Sequence, residues 1–380
     1  MMAKPLRVVF DCRMATWTGV GRYTTGLARA LAAIGGIELV QVTADGEQPP
    51  VPPGPQEDKT GETTVVPRSR ATSGHPFSPA GAMEFARVVR EIEPDVTHCT
   101  HFPTPFPAPR PLVVTMHDLA PLLVRGVMPS RMRRIAYRWW NRRAVQVADH
   151  IITDATFTVG EIESVFPSAA GRITPIPLGV DDFVAGPIGP LQEPQDIMAG
   201  TPYLLSMGST RSHKDLPTLL SAFAAIAPER PDLWLLLVGA DEPGYLARVL
   251  ADAEPDVRQR VAFTGRVSDN ALRSLMAGAK AFVFPSRYEG FGLPPLEAMA
   301  LGTPAVVADA ASLGEAVGEG ALTFTAGDSA RLAVRLETLL ADEGLHERTS
   351  AAGLVRAREL TWARTAAATV AIYREVTDRS

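Results

Sequence analysis

The chain has 380 residues, enough for two domains at roughly 100–200 residues each. Hydrophobic residues make up 46% and charged residues 21%, a globular balance that excludes a disordered or membrane-embedded chain. A formal net charge of −5 argues against a dedicated nucleic-acid binder.

The first predicted element is the apolar run at residues 6–10, typical of a buried parallel strand. Gly19 and Gly21 mark a turn. Residues 22–33 then show helical spacing, with Tyr23, Leu27, Ala30 and Leu31 on one face. A second strand at 37–42 completes the opening of a doubly wound α/β domain. Residues 46–77 are rich in Pro, Gly, Ser, Thr and charge and predict one long loop. Alternation resumes with a helix at 82–92, strands at 95–98, 112–116 and 150–153, and a helix at 131–147. The Pro- and Gly-bearing stretch 184–201 predicts an interdomain linker.

The second half repeats this logic. Strands are expected at 203–208, 233–239, 261–263, 281–284 and 305–307, and helices at 216–227, 245–253, 269–277 and 294–301. A last helix opens at Trp362 with Thr361 as its cap. The expected fold is α/β, with two Rossmann-like, doubly wound domains at 1–183 and 184–360 facing a central cleft. Small ligands bind at the carboxyl ends of such strands.

Cys12 and Cys99 are too few for a disulfide framework and predict inert thiols. No run of about 18 apolar residues predicts a transmembrane helix. The start, MMAKPLRVVF, lacks a signal-peptide core, so a cytoplasmic protein is expected. Only Lys4, Lys59, Lys214 and Lys280 are lysines, which makes Lys214 worth attention.

The densest chemistry follows the strand ending at Phe284. A loop through Gly290, Phe291, Gly292 and Leu293 runs into a helix with Pro294 in its first turn. Free N–H groups at that helix start, with the dipole, favour an anion such as a diphosphate. Glu289 lies before the helix and Glu297 about one turn inside it, where carboxylates accept hydrogen bonds from sugar hydroxyls. Spacing alone leaves equally open the plain alternative of a surface glutamate followed by a helix-capping one.

Beyond Gly208, Arg211 and Lys214 suit a diphosphate, the arginine as a fork and the lysine as a point charge. The alternative is a pair of solvated charges opening a helix. Gly265, Arg266 and Val267 precede a helix capped by Ser268 or Asp269, either a ligand loop or an ordinary connection.

In the first half, His117 and Asp118 follow the strand 113–116. The histidine could bond a sugar hydroxyl, act in acid–base chemistry, or form a buried pair with a carboxylate. His98 and His101 are weaker candidates for acceptor contacts. No His/Asp spacing suggests a metal site. Between Leu119 and Ala148 there are seven arginines and no acidic residue, with Tyr137, Trp139 and Trp140 interleaved. This is either an amphipathic helix with solvated arginines or a surface for a membrane or anionic acceptor, through residues 125–143.

The segment S-R-Y-E-G-F-G-L-P-P-L-E-A-M-A-L-G-T-P carries Glu289-x7-Glu297. It resembles the E-x7-E signature of retaining GT-B glycosyltransferases of family 4, the glycosyl transferases group 1. The resemblance continues through Ser312-Leu313-Gly314-Glu315, Thr361-Trp362 and Thr18-Gly19-Val20-Gly21-Arg22-Tyr23, weakening at 46–80. It implies a nucleotide diphosphate sugar as donor, with Glu289 on the sugar hydroxyls and Glu297 on the ribose. It implies that Arg211 and Lys214 offset charge on the leaving diphosphate, in a pattern R-x-x-K-N that here has Asp215 in place of Asn. It also places Gly265, Arg266 and Val267 beside the base, His117 and Asp118 beside the donor sugar, and Gly19 and Gly21 over the phosphate and next to the acceptor. Ala155 stands where the family often has serine.

The resemblance further implies that residues 361–380 return to the first domain. Neither cofactor nor metal is expected, and attack is front-side, with retention. The G-V-G-R-Y opening and the H-D step resemble mannosyltransferases acting on a carbohydrate, glycolipid or small-molecule acceptor. A phosphorylase, a sugar-nucleotide epimerase and a non-catalytic binder stay open as alternatives.

Overall fold

The structure is a computed structural model. It describes residues 5–52, 56–57, 63–64, 68–128, 130–188, 200–208, 210–239, 244–251 and 254–379. The chain divides into two compact units: Met1–Leu122, Met128–Gly179 and Thr361–Ser380 in the first, Leu123–Val127 and Val180–Leu360 in the second. The boundary thus falls at Gly179, a few residues before the expected 183. The linker expected at 184–201 lies largely outside the described residues.

The strands of the first unit are β1 (Leu6–Asp11), β2 (Ile37–Ala44), the short pair β3 (Gln56–Glu57) and β4 (Thr63–Thr64), β5 (Arg68–Thr72), β6 (Val96–Cys99), β7 (Leu112–Thr115), β8 (His150–Thr153) and β9 (Ile173–Pro175). Seven of them form one sheet in the order β5-β2-β1-β6-β7-β8-β9, every pair parallel. β6, β7 and β8 are four-residue strands buried throughout and β1 is buried from Val8 on, as parallel strands covered on both faces must be. Val9, Val40, Val114 and Ile151 from the sheet pack with Phe85 and Val89 of the helix Pro79–Ile92.

Two expectations fail here. The supposed loop at 46–77 contains β5, paired with β2 from Val40↔Arg68 to Ala44↔Thr72. Its sequence RSRAT is polar because it is an edge strand with mostly exposed side chains, so no apolar alternation marks it. The first helix begins at Thr18, not residue 22, so Gly19 and Gly21 lie inside its first turn.

The second unit holds β10 (Tyr203–Met207), β11 (Trp234–Val238), β12 (Val261–Gly265), β13 (Ala281–Phe284), β14 (Ala305–Asp309) and β15 (Leu322–Thr325). Their order is β12-β11-β10-β13-β14-β15, again all parallel. Counted within the unit this is 3-2-1-4-5-6, the doubly wound order. Leu204, Leu235, Val283 and Val306 meet Leu219 and Phe223 of the helix Leu216–Ile226 in its core. No described helix is long and apolar enough to cross a membrane.

The last helix, Trp362–Asp378, belongs to the first unit and packs on the helix Thr18–Ala33 and on β6. Thr361 caps it by accepting from Arg364 N at 3.3 Å, and Thr365 Oγ1 donates to Pro177 O at 2.8 Å. Trp362 sits against Gly26, where an added Cβ would lie 2.1 Å from the indole ring. In an exposed helix Gly→Ala gains about 1 kcal/mol. Here overpacking should outweigh that gain, with a net loss of about 1–3 kcal/mol. Gly26→Ala should therefore melt below the parent protein by calorimetry; equal or higher melting would show that the helix pair yields freely.

Candidate functional site

In a doubly wound sheet the chain leaves the two central strands toward opposite faces, and a crevice opens between their carboxyl ends. In the second unit those strands are β10 and β13, and the segments that follow them are knitted together. After Gly208 a short 3-10 turn, Ser212–Lys214, leads into the helix Leu216–Ile226. Arg287 N donates to His213 O at 2.7 Å, and Ser286 Oγ to the same carbonyl at 3.2 Å. Lys214 Nζ donates to Glu289 Oε1 at 2.6 Å, with both side chains four-fifths or more buried. Arg211 is exposed beside them. Asp215, the departure from Asn, accepts from Thr218 Oγ1 and from Arg287 Nε, each at 2.7 Å. A carboxylate there gains an ion pair that an amide would not make.

Glu289 is held from its backbone as well, since its carbonyl accepts from Ser312 Oγ at 2.8 Å. The next helix is Leu293–Ala300, starting one residue earlier than expected, with Gly292 as a left-handed N-cap at φ +105°. Pro294 and Pro295 occupy its first turn and carry no N–H. The expected cradle of several free amides is therefore thinner: of the four positions without an intrahelical acceptor, only Gly292 and Leu293 carry an N–H. Gly290 is half-buried, the Phe291 side chain is buried, and Glu297 is almost fully buried on the same helix. On the far side of the sheet β12 ends at Gly265, whose carbonyl accepts from Gly239 N at 3.0 Å. Arg266 is exposed and Val267 half-buried. Ser268 caps the helix that follows, accepting from Ala271 N at 3.3 Å.

The first unit has the same topology with β1 and β6 at the centre, but a different filling. Arg13 grips Asp11 bidentately, Nε to Oδ1 at 2.8 Å and Nη2 to Oδ2 at 2.7 Å, with both side chains buried. His117 stands at the end of β7. Its Nδ1 lies 2.8 Å from Asp154 Oδ2 and its Nε2 3.0 Å from Thr100 O. Both partners are acceptors, so satisfying both ring nitrogens requires imidazolium. Burial opposes that charge, but Asp154 outweighs it, with help from Asp118, and the His117 pKa is raised. Asp118 Oδ1 itself accepts from Ala120 N at 2.8 Å, opening the short helix that follows.

His98 is fully buried with both ring nitrogens bonded, to Tyr373 Oη at 2.6 Å and Thr115 Oγ1 at 2.8 Å. It is therefore unavailable for acceptor contacts, and burial beside His117 pushes its pKa down to about 3. Burial likewise holds His101 well below the ordinary value. Gly19 is open to solvent, whereas a Cβ at Gly21 would lie 2.3 Å from Ala15 O, a packing reason for that glycine. Among the described residues no three His, Cys, Asp or Glu side chains gather where they could hold a metal ion.

Comparison with known proteins decides the family. The model of the Glycosyltransferase Family 4 domain matches residues 17–182, and that of the Glycosyl transferases group 1 domain matches 191–355. The chain belongs to the GT-B glycosyltransferases of family 4. It is 27% identical over 370 residues to the O-antigen chain mannosyltransferase B of Escherichia coli, covering 94% of this chain and 96% of that one. Its fold matches the sucrose-phosphate synthase of Thermosynechococcus elongatus at a TM-score of 0.72 and 21% identity, over 100% of both chains. It matches Anabaena HepE, solved in complex with UDP and glucose, at 0.69 and 17% identity, over 97% of this chain and 100% of that one.

In this glycosyltransferase the structure brings Gly208, Lys214, Glu289 and the exposed Arg211 to one switch point. It keeps Glu297 buried one helical turn on and places His117 in the other unit. Asp154 is the residue that sequence reasoning missed. It lies one position past β8, and only tertiary structure pairs it with His117. Replacing it should be legible in pH. A raised histidine pKa stabilises the fold below the ordinary value, and that stability is lost as pH rises through the raised one. Asp154→Asn should lower the His117 pKa in an NMR titration and remove that part of the stability curve. An unchanged titration would mean that Asp154 does not hold the charge.

Proposed function

We propose that this glycosyltransferase moves a hexose, mannose, from a nucleoside diphosphate sugar to an acceptor hydroxyl with retention of configuration. The observation that carries the reading is the Lys214–Glu289 pair at the second unit's switch point, with Arg211 beside it. The two cations suit the diphosphate, where they offset the charge that grows as the sugar leaves. Glu289 Oε1 is committed to Lys214, which makes the carboxylate a poor nucleophile and a good anchor for sugar hydroxyls. This favours front-side attack, the departing phosphate taking the acceptor proton, over a covalent glycosyl-enzyme. Glu297 receives the ribose, and the backbone at Gly265, Arg266 and Val267 borders the base.

His117 offers a positive charge more than a free ring nitrogen, because both nitrogens already face acceptors. Support for mannose comes from the likeness to an O-antigen chain mannosyltransferase. Support for a nucleoside diphosphate comes from a protein of the same fold solved with UDP and glucose.

A thermal-shift panel of nucleoside diphosphate hexoses tests the donor class. A true donor at about 100 Kd stabilises by about 2.7 kcal/mol. Incubation with that donor and an acceptor extract should release nucleoside diphosphate and give product of the donor's own anomeric configuration by NMR. Free phosphate as an obligatory co-substrate, or inverted product, would overturn the reading.

Lys214→Ala, Glu289→Gln and Arg211→Ala should each lower kcat/KM at least tenfold. The Lys214 and Glu289 changes should be non-additive because the two side chains touch. Unaltered turnover in the lysine and arginine variants would remove the diphosphate assignment. Activity should also survive EDTA, since Arg211 and Lys214 supply the positive charge. Loss that only Mg²⁺ or Mn²⁺ restores would contradict this.

A further inference from the structure

The helix Arg131–Val147 buries only one side. Asn141, Ala144 and Val145 face the core of the first unit. On the opposite side Met132, Ile135 and Trp139 are 79%, 69% and 56% exposed. At about 100° per residue, these three and Ala136 fall within an arc of about 100° that points away from the core. Apolar side chains that large, gathered on the outward face of a helix, are unlike the scattered exposed hydrophobics of an ordinary surface.

Arginines flank the ridge. Arg131, Arg138 and Arg142 lie along one side and Arg133 on the other, all exposed. Arg134 and Arg143 are also on the helix but have structural partners. Arg134 donates to Leu122 O, and Arg143 donates to Thr104 and, at 2.6 Å, to Pro105 O. From Leu119 to Ala148 no carboxylate offsets this charge, although the whole chain is net negative.

We propose that this face docks the protein on an anionic lipid bilayer, with Met132, Ile135 and Trp139 entering the interface and Arg131, Arg133, Arg138 and Arg142 meeting lipid phosphates. The chemistry fits that occupant better than others. A helix with an apolar ridge bordered by arginines binds in the plane of a membrane interface, by apolar burial together with attraction to anionic headgroups. Trp139, edge-on to Trp140 at a centroid distance of 5.0 Å, has the amphipathic ring that interfaces favour. A polyanionic glycan would use the arginines and leave the ridge in water. A second copy docked across a two-fold axis would set these arginines against their own counterparts. The proposal does not depend on the donor chemistry of the second unit.

The test is flotation of the full chain with vesicles of phosphatidylcholine alone and with 30% phosphatidylglycerol. Binding should be at least tenfold stronger to the anionic vesicles and weaken as salt rises. The triple variant Met132→Ser, Ile135→Ser, Trp139→Ser and the triple variant Arg131→Gln, Arg138→Gln, Arg142→Gln should each lose at least tenfold in vesicle binding. Their melting temperatures and nucleotide-sugar thermal shifts should stay unchanged, since every altered side chain is exposed. Equal binding to both vesicle types, no binding to either, or binding that both triple variants retain would overturn the proposal. So would binding to soluble dextran sulfate with no vesicle binding, or a dimer that the serine variant abolishes without vesicle binding.

Discussion

Parallel strands cannot be joined by a tight turn, so each unit sends its chain over the sheet between strands. In both sheets the first strand is central, and the chain first builds outward on one side and then returns to build on the other. That return is the constraint on which the rest depends. It forces the segments after β10 and β13, and those after β1 and β6, to part at the carboxyl edge. Residues far apart in sequence, such as Lys214 and Glu289, meet because the strands before them are neighbours.

The two switch points share this topology and differ in what fills them. In the first unit the bidentate Arg13–Asp11 pair is sealed from water, and Thr100 Oγ1 closes on Asp11 O at 2.7 Å. Opening a sealed pair would strand a buried charge, which costs several kcal/mol, so this pair fixes the backbone. In the second unit Lys214 and Glu289 keep some contact with solvent. On the proposed reading, a donor phosphate or sugar hydroxyl would replace part of that pairing without leaving either charge unpaired in a dry interior. The same architecture thus yields a sealed clasp in one half and a partly solvated pair in the other.

How far the sequence revealed this depends on what each element has to bury. β1, β7, β11 and β13 were legible because both faces are covered and every residue is apolar or nearly so. β5 was not, because an edge strand built of RSRAT carries no buried alternation. The anion-cradle reading of the helix after Glu289 failed in part on residues visible in the sequence, since the adjacent prolines take two amides from the helix start that the same reading counted as donors. The ion pair of Asp215 with Arg287 joins residues 72 apart, and Asp154 pairs with His117 across 37. Such pairings follow from sheet order, which local pattern does not encode. His98 resembled a site residue for the same reason that it is a core residue: it ends a central strand.

That histidine also explains how the last helix is held. Tyr373 Oη, His98 Nδ1 and Nε2, Thr115 Oγ1 and Tyr23 Oη form one buried chain, with steps of 2.6, 2.8 and 2.7 Å. A neutral imidazole has one donor and one acceptor. If Nδ1 accepts from Tyr373, Nε2 must donate to Thr115, whose hydroxyl is then free to donate to Tyr23. The depressed pKa keeps the ring in the neutral form that this ordering needs. Apolar contact between Trp362 and Gly26 would tolerate small slides of one helix along another. A directional polar chain in a dry core does not, because any slip leaves a buried hydroxyl or ring nitrogen unpaired. Burial of Trp362 thus supplies the attraction, and the chain through His98 supplies the register, joining the C-terminal helix to β6, β7 and the first helix of the protein.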